Sequence, residues 1–421
     1  MRPNLTPDLD LAAHLFEVLR LRTSDGVGIT REAYGPGERI AHAIVAAEAE
    51  ALGLEVETDP AGNLLMTMPG SDRCLPRVVL GSHLDSVPQG GNYDGAAGVL
   101  AGLASVAGMR RAGLHAARDI TVLAIRAEEG GAWFPTSFPG SRAALGTLPA
   151  AALDTRRLDS GRTLAEHMAE EGFFPDAVRA GQCRLPPAKV AAYVELHIEQ
   201  GPVLDAEQIP VGIVTGIPGS RRLRAARVLG EYNHSGATPR RWRRDAAVAL
   251  AELATRLDDR WAELDAEGRQ LVCTFCVLAT APEAGFTKIP GDARFQLDVR
   301  SVTPAHVDAI YQTLHALVPQ IEARRGVRFE LGAEMTSPPT PMDSAVRAGL
   351  ARAAAGLAVP FREMPSGGGH DAVAFAQAGV PAGMLFVRNQ NGSHNPHEAM
   401  RSEDFAAATS VLMRWAAETA A

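Results

Sequence analysis

The sequence predicts an α/β chain of two domains, the smaller inserted into the larger. Three observations carry this. At 421 residues the chain exceeds what one ordinary hydrophobic core supports. Helix-period and strand-period patterns alternate near both ends, and the pattern changes character in between. The larger domain is expected over residues 1–215 and 331–421, and the inserted one over 216–330.

The elements follow in order. "PDLDLAAHLFEVLR" is a capped helix and "ERIAHAIVAAEAEAL" a second; "RVVLGSHLD" is a buried strand, "AGVLAGLASVAGMRRAG" a helix, and "DITVLAIRAEEG" and "VAAYVELHIEQG" two more strands. Strands alternating with helices argue for a sheet covered on both faces. From about Thr215 the reading is a polar-alternating strand "RRLRAARVLGEYNHSG", an amphipathic helix "RRDAAVALAELATRLDDRW", the strict alternation "DARFQLDVRS", and a helix opened by Thr303-Pro304. That is a two-helix, antiparallel-sheet domain. The earlier style returns with "GVPAGMLFVRN" as a strand and a last helix from Ser402.

Composition narrows the class. Apolar residues are 46% and charged residues 21%, the balance of a globular protein. With 41 basic against 49 acidic residues the net charge is −8, and no basic block or interleaved aromatic stripe tracks a phosphate backbone, so nucleic acid is not expected. The opening "MRPNLTPDLDLAAHLFEVL" lacks a secretory core and cleavage site, and no apolar run has membrane-spanning length; a cytoplasmic location without membrane attachment is expected. Cys74, Cys183, Cys273 and Cys276 are too scattered for a disulfide framework. Cys273 and Cys276 form a C-x-x-C, but inside a strand, where residues three apart face opposite ways.

The chemistry-bearing residues gather at strand ends. His83 and Asp85, two apart at the end of a strand, leave the same face, so one can bind a metal while the other orients it. Asp94 lies in "GGNYDGAAG" before a helix; read alone it is a helix cap in a glycine turn. Glu128 and Glu129 follow "TVLAI" at the end where α/β folds place their sites; alone they read as an exposed acidic loop. His197 in "VELHIEQG" and His394 in "NGSHNPHE" stand in similar places. Jointly, His83, Asp94, Glu129, His197 and His394 make a two-metal donor set with one shared carboxylate, able to activate water and polarise a carbonyl.

The ordered motifs "GSHLDSVPQGGNYDGAAGV", "AEEG", "ELHIEQGPVLD", "NHSGATPRRWRRDA", "IPGDARFQLDVRS", "PSGGGHDA" and "NGSHNPHE" resemble the hydantoinase/carbamoylase amidases of the M20 metallopeptidase superfamily, and the likeness runs over nearly the whole chain from "GVGITREAYGPGE". That group holds N-carbamoyl-L-amino-acid hydrolases, β-ureidopropionases and allantoate amidohydrolases. The resemblance implies a mixed-sheet, metallopeptidase-like catalytic domain with an inserted α+β two-layer lid and dimerisation domain. It implies two divalent ions per subunit, zinc or else manganese, cobalt or nickel, one on His83, Asp94 and His197 and one on Asp94, Glu129 and His394. Asp85 would orient His83, and Glu128 would be the general base and acid. His197, where related peptidases usually carry a carboxylate, favours ureido or amide hydrolysis over dipeptide cleavage. The resemblance further places Gln200, Thr287, Arg300, Gly368, Gly369 and His370 at substrate, with Arg300 gripping a carboxylate, and His234 reaching across a homodimer interface to an oxyanion.

Two stretches depart from the family pattern. Thr287-Lys288-Ile289-Pro290-Gly291 stands for a usual Asn-Val-Val-Pro-Gly, so a hydroxyl replaces a carboxamide. Gly131-Ala132-Trp133 stands for Ser-Arg-Phe after the glutamates, which removes a cation. The expected activity is hydrolysis of the ureido C–N bond of N-carbamoyl-L-amino acids, with allantoate, or an N-acyl amino acid or other amide, as the alternative substrate. A superfamily peptidase is the rival enzyme class. A non-catalytic binding protein should have lost Glu128 or a ligand, and none is lost.

Overall fold

The computed structural model describes residues 5–421 and divides them into two compact units, one of the residues up to 215 together with 342–421, the other of residues 216–341.

The first unit is built on one eight-stranded mixed sheet. Its spatial order is Glu55–Thr58, Leu64–Met68, Ile120–Ile125, Arg77–His83, Val190–Ile198, Ala382–Val387, Val211–Val214 and Phe361–Met364. Four neighbours in the middle, from Ile120–Ile125 to Ala382–Val387, run parallel, whereas the flanking pairs include antiparallel ones. The parallel strands are apolar and buried on both faces, as their continuous Val/Ile/Leu runs require. Parallel alignment also brings the carboxyl ends of all four to one edge, and this edge positions the site.

Helix Ala96–Arg111 lies against this sheet and is buried along nearly its whole length. It comes this close because small residues face the strands: a side chain at Gly102 would meet Val122. A second apolar cluster, including Tyr34, Trp133, Phe134, Leu153, Leu164 and Met168, supports the long connection after Ile125.

In the second unit, Gly219–Leu229, Val272–Thr280 and Asp292–Ser301 form an antiparallel sheet with Arg328–Glu330 and Glu334–Ser337. Helices Ala246–Ala266 and Pro304–Arg325 bury Leu253, Leu257, Ile310 and Leu314 in a core shared with Phe295, Leu297 and Val299. Asp245 caps the first helix by accepting from Val248 N at 3.1 Å. Cys273 is buried and Cys276 exposed, both thiols free. The chain leaves this unit at residue 341. The expected return at residue 331 falls inside it, because Glu334–Ser337 pairs with Leu223 to Ser220. Among the described residues no helix is long and apolar enough to cross a membrane.

Candidate metal centre

Each sequence-selected group in the first unit comes from a parallel strand's end or the loop after it. His83 is the last residue of Arg77–His83, Glu128 and Glu129 follow Ile120–Ile125, His197 is next to last in Val190–Ile198, and His394 lies beyond Ala382–Val387. Asp94 enters from the glycine turn before helix Ala96–Arg111. There Gly95 has φ +65°, and a β-carbon would lie 2.5 Å from the His83 ring, so glycine is what lets the turn close on the imidazole.

One ligand atom each of His83, Asp94 and His197 lies within 4.8 Å of the others, and the same holds for Asp94, Glu129 and His394. Asp94 is common to both sets through different oxygens. Its Oδ1 is 3.4 Å from His83 Nε2 and 3.1 Å from His197 Nε2, and its Oδ2 is 3.5 Å from His394 Nε2. Glu129 Oε1 closes the second set at 3.5 Å from His394 Nε2. Glu128 belongs to neither set; its Oε2 stands 3.8 Å from His83 Nε2.

The hydrogen bonds assign the imidazole tautomers. His197 Nδ1 faces the Ile198 carbonyl at 2.9 Å while its Nε2 accepts from Gly95 N at 3.1 Å, so the proton is on Nδ1. His83 Nδ1 faces two acceptors of Asp85, the carbonyl at 3.1 Å and Oδ1 at 3.3 Å. Both Nε2 atoms therefore turn lone pairs inward, 3.4 Å apart, beside the Asp94 carboxylate. Two imidazole nitrogens and a carboxylate oxygen converge there, with the Gly95 amide donating to His197 Nε2, and a cation or a proton between them relieves their mutual repulsion; this donor chemistry is compatible with divalent metal binding.

The electrostatics agree. Burial opposes a charge on His83, but the Asp85 and Asp94 carboxylates outweigh it and hold the imidazole well above its usual range. Burial pushes Glu128 well above the usual carboxylate range; His83 pulls it back only in part, and Glu129 pushes it further up. Burial and then Asp94 raise Glu129 to about 7. The Asp94 carboxylate raises His394 to about 9, against burial. A cluster so crowded with carboxylates takes up protons when no metal ion neutralises it.

Asp85 does more than orient His83. Its Oδ1 and Oδ2 accept from the backbone amides of Glu128 and Glu129, each at 3.0 Å, so one carboxylate fixes both strand ends. Sequence reasoning passed over three supporting residues. Glu398 Oε1 accepts from Tyr93 N at 2.9 Å and Asp94 N at 3.2 Å, and its Oε2 lies 2.6 Å from the Ser393 hydroxyl, which also reaches Asp94 Oδ2. Glu38, fully buried, accepts from Ala127 N at 2.9 Å and Arg126 Nη1 at 2.7 Å, just before the two glutamates. Glu398 stands in the quoted "NGSHNPHE" and Glu38 in a helix, and a glutamate in either setting reads as solvated until long-range packing buries it.

Gln200, at φ +65°, directs Nε2 to Asp94 Oδ2 at 2.7 Å and lies 3.2 Å from His394 Nε2. Gly368 donates its amide to Ser366 Oγ, and Gly369 packs under the Phe138 ring. His370 was expected among the substrate-lining groups; it is 1% exposed, its Nε2 is on Ser366 Oγ at 3.1 Å, and its ring lies 4.5 Å from that of His197. In the second unit, His234 Nδ1 accepts from the amides of Gly236 and Ala237, leaving its proton on Nε2. Thr287 takes φ +72°, a left-handed conformation that asparagine tolerates and a β-branched residue rarely adopts. Arg300 Nε and Nη2 are on Asp298 Oδ2 at 3.0 and 2.7 Å.

A mixed α/β unit with His/carboxylate sets at the ends of its parallel strands defines a class of metal-binding enzyme folds. The family comparison assigns the chain within that class: residues 79–418 match peptidase family M20/M25/M40, so the chain belongs to that family, on its hydantoinase/carbamoylase amidase branch. It is 38% identical over 389 residues to the N-carbamoyl-L-amino acid amidohydrolase of Geobacillus stearothermophilus, covering 91% of this chain and 92% of that one. It is 34% identical to the allantoate amidohydrolase of Bacillus subtilis, covering 89% of each. A crystal structure of a hydantoinase/carbamoylase family amidase from Burkholderia ambifaria superposes with a TM-score of 0.88 at 31% identity, covering 99% of this chain and 98% of that one.

Proposed function

We propose that the protein hydrolyses the ureido C–N bond of N-carbamoyl-L-amino acids at a dinuclear metal centre. The observation that carries this reading is the likeness over nine-tenths of the chain to a relative named for that activity, in a chain that keeps both donor sets. His83, Asp94 and His197 hold one divalent ion and Asp94, Glu129 and His394 the other; zinc, manganese, cobalt and nickel all suit such donors. Bound there, the ions supply Lewis acidity toward a carbonyl and lower the pKa of a water.

The chain's own groups do the rest. Glu128 accepts a proton at its carboxylate and returns it to the leaving nitrogen, a role suited to a carboxyl held well above its usual pKa. Asp85 keeps Glu128 and Glu129 in register with His83. Arg300 binds the substrate carboxylate, for which it must share or release Asp298. Gln200, Gly368, Gly369 and Thr287 contact the remainder. The second unit serves as lid and dimerisation domain, from which His234 Nε2–H stabilises the oxyanion in the partner subunit's site, a direction its tautomer supports. The carbamate released decays to carbon dioxide and ammonia.

Allantoate is the second reading, favoured by the Bacillus subtilis relative and by a substrate that also bears a carboxylate and ureido groups. The test is ammonia and free amine released by metal-loaded protein from N-carbamoyl-L-amino acids, allantoate and matched N-acetyl-amino acids. Ammonia with free amino acid from the carbamoyl set supports the reading. Turnover of allantoate alone moves the assignment to the second. Free amine from the acetyl set alone overturns both.

A further inference from the structure

Behind the carboxylates lies a cation that the metal chemistry does not use. Arg31, in "GVGITREAYG", is 0% exposed. Its Nε donates to the Leu84 carbonyl at 2.6 Å, between His83 and Asp85, and its Nη1 reaches Asn92 Oδ1 at 3.3 Å, two residues before Asp94. Its backbone is tied to Ser86 from both sides: Arg31 N donates to Ser86 Oγ and Ser86 N to the Arg31 carbonyl, each at 2.9 Å. Nη2 is buried without a hydrogen-bond partner, and among the described residues no carboxylate forms an ion pair with this guanidinium. A charge withdrawn from water and left unpaired is costly. Burial pulls this guanidinium below its ordinary pKa, and what opposes burial at longer range is the site's own acid cluster, Glu398 first, then Asp94, Asp85 and Glu129.

We infer that Arg31 is a built-in counter-charge of the metal centre: it holds the carboxylate cluster together when no divalent ion is bound, and its repulsion limits how tightly those ions bind. Two electrostatic effects compete. Unscreened carboxylates this close repel one another, and in a buried site that repulsion is weakly damped. Arg31 relieves it through space while its hydrogen bonds pin both arms of the His83–Asp94 turn. Once divalent ions occupy the cluster the same positive charge opposes them. The inference rests on the metal-centre reading above.

The test compares wild type, Arg31→Lys and Arg31→Met, each stripped with chelator and then given zinc, by thermal unfolding and by competition with a chromophoric chelator. Losing the hydrogen bonds lowers the melting temperature of both forms alike, so the zinc-induced rise in melting temperature isolates the charge. The expected result is a larger rise for Arg31→Met than for wild type, with zinc bound about tenfold tighter or more, and an unchanged rise for Arg31→Lys. Should Arg31→Met not fold in either state, Arg31→Gln is scored in its place. Equal rises in all three proteins, or a smaller rise without the charge, overturn the counter-charge. No rise in wild type overturns the metal-centre reading itself.

Discussion

At the scale of single residues, two carboxylates a short distance apart have different jobs and should fail differently. Glu128 belongs to neither donor set, so Glu128→Gln is expected to keep its metal content and lose about 10²–10⁴-fold in kcat. Near-normal turnover in that variant would contradict its role as base. Asp85 holds His83 Nδ1 and two backbone amides at once, so Asp85→Asn is expected to weaken metal binding by about 10–100-fold, read by chelator competition. Unaltered affinity would mean that His83 is positioned by its neighbours alone. The grouping of the candidate donors was legible in sequence because histidines and acids at predicted strand ends are few. Glu38, Glu398 and Arg31 were not, because a lone charge in a loop or helix carries no mark of the burial that distant strands impose on it.

At the scale of elements, helix Pro36–Ala51 carries both a support and a liability. Glu38 in its first turn holds the strand end before Glu128, while His42 one turn on is buried. Burial, and then the nearby Arg126 charge, keep the His42 imidazole well below its ordinary 6.5. With a depressed folded pKa, the stability this neutral histidine permits is intact above about pH 6.5 and is lost as the pH falls, since only the unfolded chain takes up the proton. His42→Leu is expected to flatten the fall in unfolding free energy between pH 6.5 and 5 by up to about 1.4 kcal/mol per pH unit. An unchanged acid slope would show that His42 is protonated in the folded protein. Helix and strand identities were largely legible from their periods. The order of the sheet was not: nothing local in "AGMLFV" tells that it lies beside "YVELHI", nearly two hundred residues earlier.

At the scale of the molecule, the division into two units followed from the change in pattern, and the place where the chain re-enters the first unit did not. Glu334–Ser337 is mostly exposed and lacks the apolar alternation that marked its neighbours, so its pairing with Gly219–Leu229 left no signature. The assembly proposed for the second unit can be tested by complementation. If His234 serves the partner's site, a heterodimer of His234→Ala and Glu128→Gln chains holds one intact site, and a random mixture should recover about a quarter of wild-type activity. Verified heterodimers without recovery would confine His234 to its own subunit.

The measurement closest to the central claim follows ammonia release from an N-carbamoyl-L-amino acid while chelator-stripped protein is titrated with zinc or manganese, with bound metal counted alongside. The expected result is no release from stripped protein and activity that rises to a plateau at two ions per chain. Release that persists after stripping, or none at any loading, would contradict the account of His83, Asp94, Glu129, His197 and His394 as the working centre.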